Sequence, residues 1–300
     1  MDDFQISLIT DPTELSVIAE LQEAVWGIED VVPAHMVIAL IQNGGVAMLA
    51  QVGDRPVGFV FGFPGQQTAL DGNPQLMHYS HMLAVIPEFR NAGLGFQLKR
   101  AQWQWVRRQG YELITWTYDP LLSANAKLNV ARLGAICRQY HRDYYGQMED
   151  ALNRGLPTDR FRAEVWVNSL RVTDRMHRKP RKQLDLAHYL SGGAEILNPT
   201  TINSAGLPVP AEAPWLGGEI AARLGTEPEA KAFYLLEIPA DFQAMRSADP
   251  ELAARWRMHS RPLFEDLFSR SYLVTDFIHL TGREPRSFYV LSHGERTLGL

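Results

Sequence analysis

From Leu83 to Gly95 the chain reads Leu-Ala-Val-Ile-Pro-Glu-Phe-Arg-Asn-Ala-Gly-Leu-Gly. An apolar strand-like stretch ends at Pro87, a loop carries Arg90, Gly93 and Gly95, and a helical pattern follows. That arrangement suits an anion. Backbone N–H groups at a helix start point outward, the helix dipole favours negative charge there, and glycine lets the backbone approach phosphate oxygens. Arg90 adds a permanent positive charge. Two glycines alone also occur in ordinary strand–helix turns with a surface arginine. The full Pro-x-x-Arg-x-x-Gly-x-Gly text between a strand and a helix is the more specific signal.

His81 stands four residues before Val85, so a regular strand puts it on the face of Leu83 and Val85. An imidazole with an ordinary pKa near ~6.5 could take the proton of an attacking ammonium, or could be a hydrogen-bonded structural residue. His78 and His81 are three apart and point to opposite strand faces, so no metal site is expected from them.

Alternation marks a strand from Phe4 to Ile9, and Asp11-Pro12-Thr13-Glu14 opens a helix that stops at Gly27. A second helix runs from near Pro33 to Asn43-Gly44. Val46–Val52 and Val57–Phe63 form a hairpin across Gly53–Pro56, and a Gly-, Gln- and Pro-rich break is expected at Pro64–Pro74. Then come a strand over Leu76–Val85, a helix over Phe96–Arg108, a strand over Tyr111–Tyr118, and a helix from Ser123 to Leu133. Extended stretches near Ile136–Tyr145 and Phe161–Ser169 close the first half. The basic run Arg171–Lys182 reads as a solvated domain edge, and Asn198–Gly218 as a long loop. Strands over Phe233–Ile238, Tyr272–Leu280 and Phe288–Leu291 surround a helix over Ala248–Ser269.

The 300 residues are 46% hydrophobic and 21% charged, which excludes a disordered chain. A net charge of −5 gives no support for non-specific nucleic-acid binding. Cys137, the single cysteine, excludes an intrachain disulfide and a multi-thiolate zinc site; it reads as a buried small side chain in a reducing compartment. No apolar run reaches the ~18–20 residues of a membrane span, and the acidic start Met1-Asp2-Asp3 is unlike a secretory signal. A cytoplasmic protein is expected.

With these residues in view, the sequence resembles the GNAT acyltransferase superfamily. Arg90-x-x-Gly93-x-Gly95 matches that family's pyrophosphate loop for acetyl-CoA, and the element order over residues 4–170 agrees. The text around Trp116, Asp119-Pro120, Asn125, Asn129 and Gly134-Ala135 resembles a branch of predicted acyltransferases, some of which act on amino acids, including with succinyl-CoA. The resemblance implies an α/β GNAT fold, with a mixed, mostly antiparallel central sheet flanked by helices. Residues 1–175 would form the catalytic domain and 176–300 a C-terminal α+β region. In that region strand–helix–strand order recurs, so it reads as a degenerate partial GNAT repeat or an unrelated appendage.

The resemblance further implies that Leu83 and Val85 line pantetheine with their backbones, and that Arg90, Asn91, Ala92, Gly93, Leu94 and Gly95 hold the pyrophosphate. Asn125 and Asn129, i and i+4 on one helix, would bind CoA or a water, or face solvent. One departure matters: Val130 stands where the family places a tyrosine that protonates the departing thiolate. Tyr140, Tyr144 or Tyr145, expected on the next strand, could replace it, since a phenol of pKa ~10 suits a thiol of pKa near ~8.5, or could be packing residues. Asp119 could anchor an amine or cap its loop. The implied activity is transfer of an acetyl or succinyl group from CoA to a primary amine, such as an amino acid, without a metal. A protein lysine as acceptor and a non-catalytic CoA-binding module are the alternatives. The implied partners are acyl-CoA and an amine, with neither nucleic acid nor membrane, and a homo-oligomer is left open.

Overall fold

The computed structural model describes residues 4–27, 31–69, 72–146, 155–177, 184–211 and 231–294. Two compact units are interleaved along the chain: unit 1 comprises Met1–Trp116, Gln147–Gly155 and Glu164–Asn168, and unit 2 comprises Thr117–Gly146, Leu156–Ala163 and Ser169–Leu300. The change of composition near residue 175 falls inside unit 2.

Unit 1 begins with β1 (Gln5–Leu8), α1 (Leu15–Trp26) and α2 (Ala34–Gln42). Before α1, the Asp11 carboxylate accepts the Thr13 N–H at 2.8 Å and Pro12 occupies the first helical position. Strands β2 (Val46–Val52), β3 (Arg55–Thr68) and β4 (Pro74–Val85) follow, then α3 (Leu94–Arg108) and the first part of β5 (Leu113–Tyr118). β1, β2, β3 and β4 pair antiparallel in that order. β4 runs parallel to β5. The break expected at Pro64–Pro74 is smaller than its composition suggests. β3 continues through Pro64 to Thr68, paired from Pro64↔His78 to Thr68↔Pro74, and the Gln67 amide donates to that of Gln75 at 2.8 Å. Phe59, Val60 and Phe61 of β3, with Leu98 of α3 and Ile18 of α1, lie in one buried cluster.

Unit 2 holds the end of β5, α4 (Ser123–Ala126) and a π-helical turn over Lys127–Arg132. β6 (Ile136–His141) and the start of β7 (Arg160–Trp166) follow, with β7 between β5 and β6. Next come α5 (Leu170–His177), α6 (Leu186–Ser191), β8 (Glu195–Ile196), β9 (Thr200–Ile202), β10 (Pro208–Pro210) and β11 (Phe233–Ile238). The chain continues through α7 (Phe242–Ala248), α8 (Pro250–Ser269), β12 (Tyr272–Leu280) and β13 (Arg286–His293). β12 pairs with β6, β13 lies between β12 and β11, and β8 runs parallel to β11. A parallel pair followed by a strand inserted between its successors therefore occurs twice, as β4–β5 with β7 and as β8–β11 with β13.

After β8, the Asn198 side chain continues the pairing with β11. Its Oδ1 accepts the Glu237 N–H at 2.7 Å and its Nδ2 donates to the Glu237 carbonyl at 2.9 Å.

Other expectations for this half are corrected. The helix expected at Ala248–Ser269 is broken at Asp249, whose carboxylate accepts the Leu252 N–H at 2.9 Å ahead of Pro250. The loop expected from Asn198 contains the β9–β10 hairpin, tied by Asn203 Oδ1 to the N–H groups of Ala205 and Leu207; residues 212–218 lie outside the described residues. Arg171 and Arg175 are half-buried rather than fully solvated. They donate to the carbonyls of Gly134 at 2.8 Å and Ala131 at 3.1 Å, where the π turn leaves carbonyl groups without helical partners. Residues 178–182 of that basic run lie outside the described residues.

Candidate active site

The β4–β5 ladder is short. It pairs His78↔Ile114 and Tyr79↔Thr115, and beyond Tyr79 the pairs of β4 are with β3 alone. The Ile86 N–H bonds to the Val57 carbonyl, so alternation directs the N–H and C=O groups of Leu83 and Val85 away from β3. β4 thus presents an open edge that leads into the glycine loop.

In that loop Arg90 Nε donates to the Val85 carbonyl at 3.1 Å, so the arginine ties the loop to the end of the open edge. Asn91 and Gly93 take left-handed backbone conformations, φ +65° and +86°. That of Gly93 turns the chain into α3, which begins at Leu94, two residues earlier than expected. Leu94 and Gly95 then lie in the first turn, whose N–H groups have no intrahelical acceptors.

A bulge corrects the placement of His81. Phe61 pairs with Met82 and Phe63 with Tyr79, so Gly62 opposes both Ser80 and His81. Val85 pairs with Gly58, where a β-carbon would contact Leu98 of α3, so Val85 and, by alternation, Leu83 face α3. His81 instead packs on the other face, among Phe61, Phe63 and Tyr79, with ring centroids 5.8–6.1 Å away. His81 remains an exposed residue, yet partial burial among these neighbours lowers its pKa below the usual histidine value.

On the α3 side lies a buried polar chain. Lys99 Nζ donates to Ser80 Oγ at 2.6 Å, Ser80 Oγ donates to Gln102 Oε1 at 2.7 Å, and Gln102 Nε2 lies 3.2 Å from His78 Nε2. Gly62 makes room for it: a β-carbon there would lie 2.3 Å from His78 Nε2. Burial lowers the Lys99 pKa to about 7. Burial, with the Lys99 charge second, lowers His78 to about 3. Sequence reasoning missed Lys99, Ser80 and Gln102. The available signal was a lysine and a glutamine three apart on the helix stripe that carries Leu98, Trp103 and Val106, all of them buried.

In unit 2, Tyr140 Oη donates to Asp159 at 2.6 Å, and burial raises its pKa. Tyr144 and Tyr145 were expected on β6, but β6 ends at His141 and both lie exposed in the turn after it; Tyr145 Oη is 3.0 Å from Thr117 Oγ1. Asn125 is exposed and Asn129 is buried in the π turn, so the two do not present one face. Val130, also in that turn, is fully buried and carries no proton. Asp119 Oδ1 accepts the Leu121 N–H at 2.8 Å, and its carboxylate pairs with Arg257. Cys137 is buried 3.5 Å from Tyr118 Oη.

An open strand edge feeding a glycine-turned helix start has the chemistry to suit an extended ligand that ends in phosphate. Residues 16–134 match the model of the acetyltransferase (GNAT) family. A search of curated proteins finds no match. Among solved structures, the chain is similar to Arabidopsis thaliana NAA60 in complex with acetyl-CoA, at 13% identity and TM-score 0.45, over 55% of this chain and 99% of that one. It is similar to the ribosomal-protein-S18-alanine N-acetyltransferase of Escherichia coli, at 15% identity and TM-score 0.43, over 55% and 94%. A GNAT family acetyltransferase from Elizabethkingia anophelis with acetyl-CoA bound matches at 15% identity and TM-score 0.39, over 55% and 99%. At these TM-scores the likenesses add nothing to the family match. No helix among the described residues is long and apolar enough to cross a membrane.

Proposed function

We propose that the protein transfers an acyl group from coenzyme A to a primary amine. The observation that carries this reading is the open edge of β4 at Leu83 and Val85 running directly into the Gly93 turn. Pantetheine amides would pair with that edge as a further strand does. The pyrophosphate would lie against the N–H groups at the start of α3, from Asn91 to Gly95. Arg90, with Nε on Val85, holds edge and loop in register.

The acceptor is proposed to be a small amine such as an amino acid, and the acyl group acetyl or succinyl. His81, with its lowered pKa, is neutral at pH 7 and available to take a proton from the ammonium. The free amine attacks the thioester carbonyl, the C–N bond forms, the C–S bond breaks, and CoA leaves as the thiolate. A backbone N–H of the β4 edge would stabilise the oxyanion. Tyr140 donates its proton to Asp159, so it is withdrawn from the proposed thiolate acids. A second reading, a CoA-binding module without turnover, is favoured by one observation, the buried Val130.

The test mixes the protein with acetyl-CoA or succinyl-CoA and a panel of amines and follows free thiol. Amine-dependent thiol release is expected. Tight CoA binding without such release would establish the binding module instead.

A further inference from the structure

Lys99 reaches the point where β4 and β5 part. Its ammonium lies 2.6 Å from Ser80 Oγ and 3.7 Å from the centroid of the Trp116 ring. Ser80 and Trp116 are the first residues beyond the last β4–β5 pair, Tyr79↔Thr115. The cation therefore stands at the closed end of the open edge, the end remote from the glycine loop.

Its surroundings are unusual for a lysine. The residue is 6% exposed, and among the described residues no carboxylate pairs with it. Burying an ammonium without an anion is costly, and a leucine or methionine would fill this stripe of α3 without that penalty. An ammonium has three donors. One goes to Ser80 and a second can meet the face of Trp116, which leaves a third. Ser80 cannot supply charge, because its own proton goes to Gln102. The imidazole of His78, at the far end of the chain, is held neutral.

We propose that Lys99 is a specificity-determining residue that selects acyl groups ending in a carboxylate. The acyl donor would then be the CoA half-thioester of a dicarboxylic acid. This rests on the acyl-CoA reading above, with the thioester on the β4 edge and the acyl chain directed toward the strand fork. A terminal carboxylate arriving there would meet the third donor of Lys99 and supply the missing counter-charge. Because the free lysine titrates at about 7, the arriving anion would also draw a proton onto it.

The experiment compares donors that differ only at the chain end. For the wild type, kcat/KM with succinyl-CoA should exceed that with butyryl-CoA at least ~10-fold, as expected for a charge-assisted hydrogen bond. Malonyl-CoA and glutaryl-CoA set the chain length. Lys99→Met should abolish the preference. Binding is read separately by calorimetry at pH 8 with two unreactive thioethers, S-(3-carboxypropyl)-CoA and S-butyl-CoA, in buffers of different ionisation enthalpy. The first should take up about one proton and the second none. Equal use of succinyl- and butyryl-CoA, or equal affinity of the wild type for the two thioethers, overturns the assignment. If no acyl-CoA releases thiol with any amine, the acyltransferase reading falls, and the calorimetric pair still decides the role of Lys99. If Lys99→Met does not fold, the wild-type comparisons decide alone.

Discussion

Asp119, the residue after β5, pairs both of its carboxylate oxygens with the two terminal guanidinium nitrogens of Arg257 on α8. Arg257 is 2% exposed, and Asp119 also caps its own loop through the Leu121 N–H. Asp119→Ala would leave a buried guanidinium without its anion, which costs about 3–5 kcal/mol. Urea unfolding should show that loss. A loss below ~1 kcal/mol would mean that the pair contributes little to unit 2. Replacing both partners by apolar residues of similar volume should cost less than the single change.

Lys99 also makes stability depend on pH. Its folded pKa of about 7 lies below the ordinary lysine value of 10.5, so between these values the unfolded chain binds more protons. Stability must then rise with pH across that window, by at most about 1.4 kcal/mol per unit from this group. The advantage of Lys99→Met over wild type should be greatest below pH 7 and shrink toward pH 10. Parallel stability curves for the two proteins from pH 6 to 10 would show that Lys99 keeps its charge without penalty.

Gly93 separates conformational from ligand effects. A β-carbon there meets no protein atom within 4 Å, so Gly93→Ala carries only the left-handed backbone penalty of roughly 1–2 kcal/mol. The folded variant should bind CoA more weakly in a calorimetric titration. Unchanged affinity would remove the pyrophosphate from this turn.

For His81, a lowered pKa puts the acidic limb of kcat/KM for the amine below pH 6.5. His81→Gln should remove that limb and slow the reaction ~10²–10⁴-fold. A variant that keeps both rate and limb would assign proton removal to water.

The strand–loop–helix around Arg90 was legible because proline, arginine and two glycines each have a local reason to be there. The face of His81 was not legible. One extra residue opposite Gly62 shifts the alternation, and no local propensity in Tyr79-Ser80-His81 announces it. Pro64 looked like an end of β3, but pairing with β4 carries the strand through it to Thr68. Arg171 and Arg175 looked solvated because their acceptors lie about forty residues upstream in the chain, at Gly134 and Ala131. The Lys99 network was hidden for a similar reason. Its partners Ser80 and Trp116 come from two strands, and only their meeting explains a lysine on an apolar stripe.

The amide of Asn198 has a consequence for stoichiometry. By copying a backbone pair opposite Glu237, it fills the fork beyond the β8–β11 pair, the place that corresponds to the opening between β4 and β5 where the pantetheine arm is proposed to lie. The side chain is fully buried and acts as a plug supplied by the chain itself. Repetition of the strand pattern therefore does not double the binding capacity, and titration with CoA should saturate at one equivalent per chain.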